Sequence, residues 1–188
     1  VIPWRMSRLA LAAKRFAASA ASAASADRDA LHAFCERHAK WLADYTLFMA
    51  IADIQPGRSW CDWDVGLALR DPAALREAGA ELAERVAFHA FCQWRFFEQW
   101  QRLKLYANDR GIRIVGDAPI FIAHQSAEAW SRPELFELDA RGASTVVAGV
   151  PPDYFSATGQ RWGNPLYRWT AHAAEGYAWW IDRIRHAF

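Results

Sequence analysis

The stretch from Gly149 to Tyr167, GVPPDYFSATGQRWGNPLY, sets flat aromatic side chains beside hydrogen-bonding groups at close spacing. Tyr154, Phe155, Trp162 and Tyr167 bring apolar faces, while Asp153, Gln160 and Asn164 bring a carboxylate and side-chain amides. A sugar ring has an apolar C–H face and a rim of hydroxyls, so it is suited by rigid amphipathic aromatics and a few placed polar groups. Packing alone does not explain the stretch. Pro151, Pro152 and Pro165, with Gly149, Gly159 and Gly163, argue against a helix or a central strand, and a long loop is expected. An aromatic left exposed on a loop forgoes roughly 1.5–3 kcal/mol of hydrophobic free energy. A loop folded over its own aromatics as a structural plug is the plain alternative.

A second candidate is Asp117, which follows the apolar run Ile112, Ile114, Val115. A carboxylate at the end of a buried strand is costly unless it is paired or faces a polar cavity. The bland alternative is a cap for the next turn. Other chemistries find little footing. His32, His38, His89, His124, His172 and His186 lack Cys, Asp or Glu partners at ligand spacing, so no metal site is expected. No glycine-rich phosphate loop, Gly-x-Ser-x-Gly elbow or basic-aromatic interleaving occurs, which disfavours nucleotide chemistry, serine hydrolysis and nucleic-acid binding. No cofactor is expected.

Composition sets the frame for these residues. The 188 residues are 53% hydrophobic, enough for a folded core, and 22 basic against 21 acidic residues give a net charge of +1 without long charge runs. Neither a nucleic-acid partner nor a membrane surface is indicated. Cys35, Cys61 and Cys92 are far apart and odd in number, which fits buried thiols in a reducing, cytoplasmic setting. No apolar run reaches the roughly 20 residues that span a bilayer. The chain starts at Val1 and stops at Phe188 just after the helical pattern Tyr177, Trp180, Ile181, Ile184, so both ends read as cuts in a longer chain.

The elements that must hold the candidates follow from periodicity. Met6, Leu9, Ala13 and Phe16 predict a first helix that runs into an Ala/Ser tract over residues 17–26. Asp27 or Asp29 can cap a second, with a buried stripe from Leu31 through Trp41 to Met49. Gln55-Pro56-Gly57 ends it, and Trp60 and Trp63 follow as core residues of an irregular stretch. Asp71 and Pro72 start a helix expected to continue to about Asn108, apolar on several sides and so covered by more than one neighbour. Gly111 is placed as its C-cap, and residues 112–122 read as a buried strand. Ser126 caps a short helix, Pro133 starts a turn, residues 134–147 make an excursion around Arg141-Gly142, and a last helix runs from about His172. A long helix, a glycine turn and an apolar strand form an α/β unit, with the polar site at the strand's carboxyl end.

At these residues the chain resembles the 4-α-glucanotransferase family, also called amylomaltase or disproportionating enzyme. GVPPDYFSATGQRWGNPLY resembles that family's long active-site loop, and GDAPIFIAHQSAEAW, residues 116–130, resembles its strand-end signature. Gln99-Trp100, Leu103-Lys104, Tyr106-Ala107-Asn108, Gly111-Ile112 and the WLADY of residues 41–45 fit as well, so the likeness runs from about Trp41 to Arg185. It implies part of a (β/α)8 barrel with a mainly helical inserted subdomain: residues 1–108 the helical part and a barrel helix, residues 109–188 a partial barrel carrying Asp117 and the loop at 149–167. It also implies retaining transfer of α-1,4-glucan segments between maltooligosaccharides.

Carried across by position, Asp117 matches the strand-end carboxylate near the cleavage subsite. Tyr154 and Phe155 match loop aromatics on the acceptor side. Gln160, Trp162 and Asn164 match the limb that lies over the site and helps exclude water. The family's nucleophile sits in an Arg-Ile-Asp-His type motif, and here Arg183-Ile184 is followed by Arg185-His186. No catalytic residue is therefore expected in this chain, and alone it is expected to be inactive. Ala118, Ala157 and the WCDWD of residues 60–64 depart from the family pattern. A non-catalytic glucan-binding module and a helical interaction protein are the rival readings.

Overall fold

The structure is a computed structural model that describes residues 2–19 and 25–187. In chain order its elements are α1 (Ile2–Ala18), α2 (Ser25–Arg37), α3 (Ala39–Ile54), α4 (Val65–Ala68), α5 (Pro72–Glu81), α6 (Ala83–Asn108), α7 (Ala127–Ser131), β1 (Val147–Val150), β2 (Gln160–Pro165), α8 (Trp169–Ala174) and α9 (Ala178–Ala187). Single 3-10 turns lie at Trp60–Asp62 and Pro133–Leu135. Two compact units result, Val1–Ile54 with Glu77–Ile114, and Gln55–Arg76 with Val115–Phe188.

The first unit is helical. Phe34, Leu42, Phe91 and Trp94 form its centre, and Phe16 of α1 reaches both Phe91 and Trp94, with ring centroids 5.3 and 5.5 Å apart. Helix α6 packs against α1, α2 and α3, as an apolar circumference requires. Polar bonds tie α6 to α3: His89 Nε2 lies 2.8 Å from Asp53 Oδ2, and Gln93 donates to the Tyr45 hydroxyl at 2.9 Å. The C-terminal half of the α6 stripe does not follow expectation, because Trp100 and Leu103 are exposed. The expected helix from Pro72 to Asn108 also breaks. Leu82 turns out of helical geometry (φ −100°, ψ 19°) with its side chain buried and no capping side chain, so no local sequence signal marks the break.

The second unit holds the candidate residues, and its core is aromatic. Trp60 is buried, its indole N–H donating to the His124 carbonyl (2.8 Å) and its backbone N–H to Gln125 Oε1 (3.1 Å). Trp63 meets Trp130 edge-on, and Trp130 Nε1 donates to the Leu67 carbonyl at 2.9 Å. The two tryptophans of the 60–64 segment are thus core, as expected. Ser126 caps α7 by accepting from the Ala129 N–H, and the excursion after Leu135 closes at Gly142 in left-handed geometry (φ 83°).

Residues 112–122 correct the sequence reading. Gly111 does end α6, with φ 71° and bonds from Gly111 N to Asn108 O and Ile112 N to Ala107 O that make a Schellman cap. The run after it is irregular, not a strand, with Ile112, Ile114, Val115 and Ile120 exposed. A buried parallel strand needs ladder partners on both sides, and among the described residues β1 and β2 pair only with each other. The last helix also differs. Gly176 and Tyr177 are both left-handed (φ 64° and 57°) and split it into α8 and α9; His172 of α8 and Trp179 of α9 are buried, whereas Tyr177, Ile181 and Ile184 are exposed.

Candidate functional site

The stretch expected to be an unbroken loop is a β-hairpin. β1 and β2 pair antiparallel (Val147 with Pro165, Gly149 with Arg161, Val150 with Gln160), with an irregularity between Val147 and Gly149. Glycine and proline do not exclude these strands because both are edges, where a missing donor or a bulge is tolerated. The backbones approach so closely that a Cβ on Gly149 would lie 2.4 Å from the Gln160 carbonyl oxygen. One on Gly159, at φ 74°, would lie 2.5 Å from the Val150 carbonyl oxygen.

The connection between the strands is ordered by its own polar groups. The Asp153 carboxylate accepts from the N–H groups of Phe155 (2.9 Å) and Ser156 (2.8 Å), and Ser156 Oγ donates to the Gly159 carbonyl (2.7 Å). This Asx-type turn raises Tyr154 and Phe155 into solvent at 97% and 89% exposure, their rings edge to face with centroids 5.6 Å apart. The plug alternative fails for these two side chains: nothing in the loop covers them.

The second limb carries the other candidates. Trp162 is half-exposed, its indole N–H donating to Gln160 Oε1 (3.0 Å) and its ring edge-on to Phe121 (6.2 Å). Asn164 Nδ2 donates to the Ile122 carbonyl at 2.7 Å. Asp117 lies in the irregular, exposed run just before these contacts. All seven candidates therefore fall in the second unit, and Asp153 and Asn164 already use their side chains to hold backbone. Phe121 was missed in the sequence, hidden in what read as the buried strand Ile120-Phe121-Ile122. It stacks on Tyr167 at 6.1 Å with an interplanar angle of 12° and so backs the base of the hairpin.

Beneath the hairpin's base, Phe136 bridges to Tyr167, and both rings meet the fully buried His172. His172 Nε2 donates to the Leu135 carbonyl (3.1 Å), which leaves Nδ1 without a hydrogen bond, 3.7 Å from Glu175 Oε1. Burial pushes the imidazole below its ordinary 6.5, despite the opposing pull of Glu175. Burial alone would raise the Glu175 carboxyl. Hydrogen bonds from Arg132 (2.6 Å) and the Trp179 N–H (3.1 Å) outweigh that and hold it below its ordinary 4.5.

Both shifts act in one direction. The unfolded chain takes up a proton at His172 that the folded one refuses, so stability is lost as pH falls through 6.5. The Glu175 contribution is lost only below 4.5. A melting temperature that declines between about pH 7 and pH 5.5, with a flatter decline in His172→Gln, is the expected result. An identical slope in the variant would assign the titration elsewhere.

Other reactive groups are muted. Burial pushes the Cys92 thiol up to about 11 and raises Cys35 and Cys61 as well, so all three are protonated at neutral pH. Among the described residues no group of His, Cys, Asp or Glu is arranged to hold a metal ion, and no helix is long and apolar enough to cross a membrane.

The hairpin presents a projecting aromatic pair at its tip and a half-exposed tryptophan on its second limb. The chain is 58% identical over 161 residues to the 4-alpha-glucanotransferase of Thermus thermophilus, covering 86% of this chain and 32% of that protein. It is 52% identical over 153 residues to that of Synechocystis sp., covering 81% and 30%. The structure of amylomaltase from Streptococcus agalactiae in complex with acarbose superposes with a TM-score of 0.89 at 38% identity, over 98% of this chain and 36% of that one. The chain thus spans about a third of the length of these relatives. A family model described as 4-alpha-glucanotransferase matches residues 1–188, and the chain belongs to that family.

Proposed function

We propose that the protein carrying this chain transfers α-1,4-glucan segments between maltooligosaccharides, and that this chain supplies the acceptor-side binding surface. The observation that carries the reading is the Tyr154/Phe155 pair, held in solvent by the Asp153 turn where nothing in its own loop covers it. Exposed aromatic faces suit the C–H faces of successive glucose units. Asp117 hydrogen-bonds sugar hydroxyls near the cleaved bond, and Gln160, Trp162 and Asn164 form the limb that closes over the glucan.

Retaining transfer needs a carboxylate nucleophile and a carboxyl acid/base about 5–5.5 Å apart across the scissile bond. Neither role falls to a residue of this chain, whose Arg183-Ile184-Arg185-His186 lacks the aspartate of the family motif. The hairpin's part is to seat the acceptor sugar and keep water from the glycosyl-enzyme until it arrives. In the complete fold, residues 109–188 form the partial wall of a (β/α)8 barrel and residues 1–108 its mainly helical part. Three free cysteines favour a cytoplasmic setting.

The test is incubation with maltotriose. The complete gene product should yield longer maltooligosaccharides, and the isolated 188-residue chain none; transfer by the isolated chain would overturn the assignment of the catalytic carboxylates.

A further inference from the structure

Among the described residues the run from Pro119 to Ile122 has no ladder partner, yet three of its carbonyls accept side-chain hydrogen bonds. Tyr167 Oη donates to the Ile120 carbonyl at 2.7 Å, Asn164 Nδ2 to the Ile122 carbonyl at 2.7 Å, and Arg183 Nη2 to the Pro119 carbonyl at 2.8 Å. The donors come from the hairpin's second limb, the segment just after it, and α9. Between the first two bonds the Phe121 ring sits stacked on Tyr167 and edge-on to Trp162. Tyr167 is itself buried, and burial raises its hydroxyl pKa above the ordinary 10.0, so it remains a donor at neutral pH.

We propose that Tyr167, with Asn164 and Arg183, is a positioning residue that clamps the Asp117-bearing segment to the aromatic hairpin and fixes the distance between the two halves of the glucan site. The proposal rests on the glucan-transfer reading and deepens it. Asp117 is two residues from the first clamped carbonyl, and Trp162 two residues before the Asn164 donor. The clamp therefore joins the two limbs within two residues of Asp117 on one and of Trp162 on the other. Among the described residues no ladder hydrogen bond does this job, because the segment is irregular. The clamp also gives Asn164 a role other than direct sugar contact.

Tyr167→Phe removes one hydroxyl and keeps the stacked ring, so it separates positioning from packing. In the complete gene product it is expected to lower kcat/KM for maltotriose disproportionation by about 10-fold, since a misplacement near 1 Å can cost up to about 100-fold. The melting temperature should fall by no more than about 3 °C. Because the hydroxyl acts through the Asp117 segment, adding it to Asp117→Asn should change transfer by less than about twofold, while the melting effects add.

A Tyr167→Phe enzyme within about twofold of wild type, or a full 10-fold effect repeated on the Asp117→Asn background, overturns the proposal. Hydrogen exchange separates its failure from that of the glucan reading. Peptides covering residues 117–124 should exchange faster in Tyr167→Phe whether or not the wild type transfers glucan, and unchanged exchange there removes the clamp. Absence of transfer by the wild type removes the glucan reading alone.

Discussion

Replacing both tip aromatics, Tyr154→Ala with Phe155→Ala, is expected to reduce kcat/KM for glucan transfer by about 30–100-fold, a loss of about 2–3 kcal/mol shared between two aromatic contacts. The same change should leave the melting temperature within about 1 °C, since side chains that are not buried contribute little to folding. That expectation follows from geometry: the rings are 97% and 89% exposed and meet each other edge to face. The Asp153 turn is made by a carboxylate and backbone N–H groups, so it survives the truncation. A parallel loss of melting temperature and transfer would return the pair to a structural role.

The second large effect is on stability and lies at Gly142. A Cβ there would come within 2.1 and 2.5 Å of ring atoms of Trp60, and the residue sits at φ 83°. Trp60 cannot retreat, being 1% exposed and fixed by hydrogen bonds to His124 and Gln125. Gly142→Ala should therefore cost about 2–4 kcal/mol from overpacking and left-handed strain together, or roughly 5–15 °C in melting temperature. Gly57→Ala is the matched control, with φ 78° and nothing within 4 Å of the added methyl. It carries only the conformational penalty of about 1 kcal/mol. Equal losses in the two variants would mean that Trp60 does move aside.

Much of this was legible in the sequence where the signal is local. Ser126, Pro133 and Gly111 act within one turn of themselves, and each lies where its type placed it. The core tryptophans of the 60–64 segment and the cover of α6 by several neighbours could be read because apolar composition and period dictate them, though the exposed end of α6 at Trp100 and Leu103 could not. What could not be read depends on partners distant in the chain. Residues 112–122 have the composition of a buried strand, but a strand exists only where neighbours complete its ladder. The hairpin was hidden for the opposite reason. Its prolines and glycines read as breakers, whereas Gly149 and Gly159 are what lets the two edges approach. The Leu82 break and the Gly176-Tyr177 turn rest on backbone geometry that hydrophobic spacing does not encode.

The site divides in the same way. The tip pair and the Asp153 turn lie within a few residues of one another, so their types and spacing were sufficient to single them out. Tyr167 and Arg183 act on a segment up to 64 residues away that contains Phe121, and nothing in their immediate sequence announces it. Tyr167 was noted only as one aromatic among four, yet it joins the hairpin's base to the Asp117 segment and to the His172 nest.

The central claim is that the hairpin seats an acceptor glucan and excludes water from the transfer step. It is tested most directly by the products formed from maltotriose by the complete gene product and by its Tyr154→Ala/Phe155→Ala variant. The wild type should give maltooligosaccharides longer than the donor together with glucose, and the variant should shift toward glucose and maltose from hydrolysis. An unchanged ratio of transfer to hydrolysis in the variant would contradict the account.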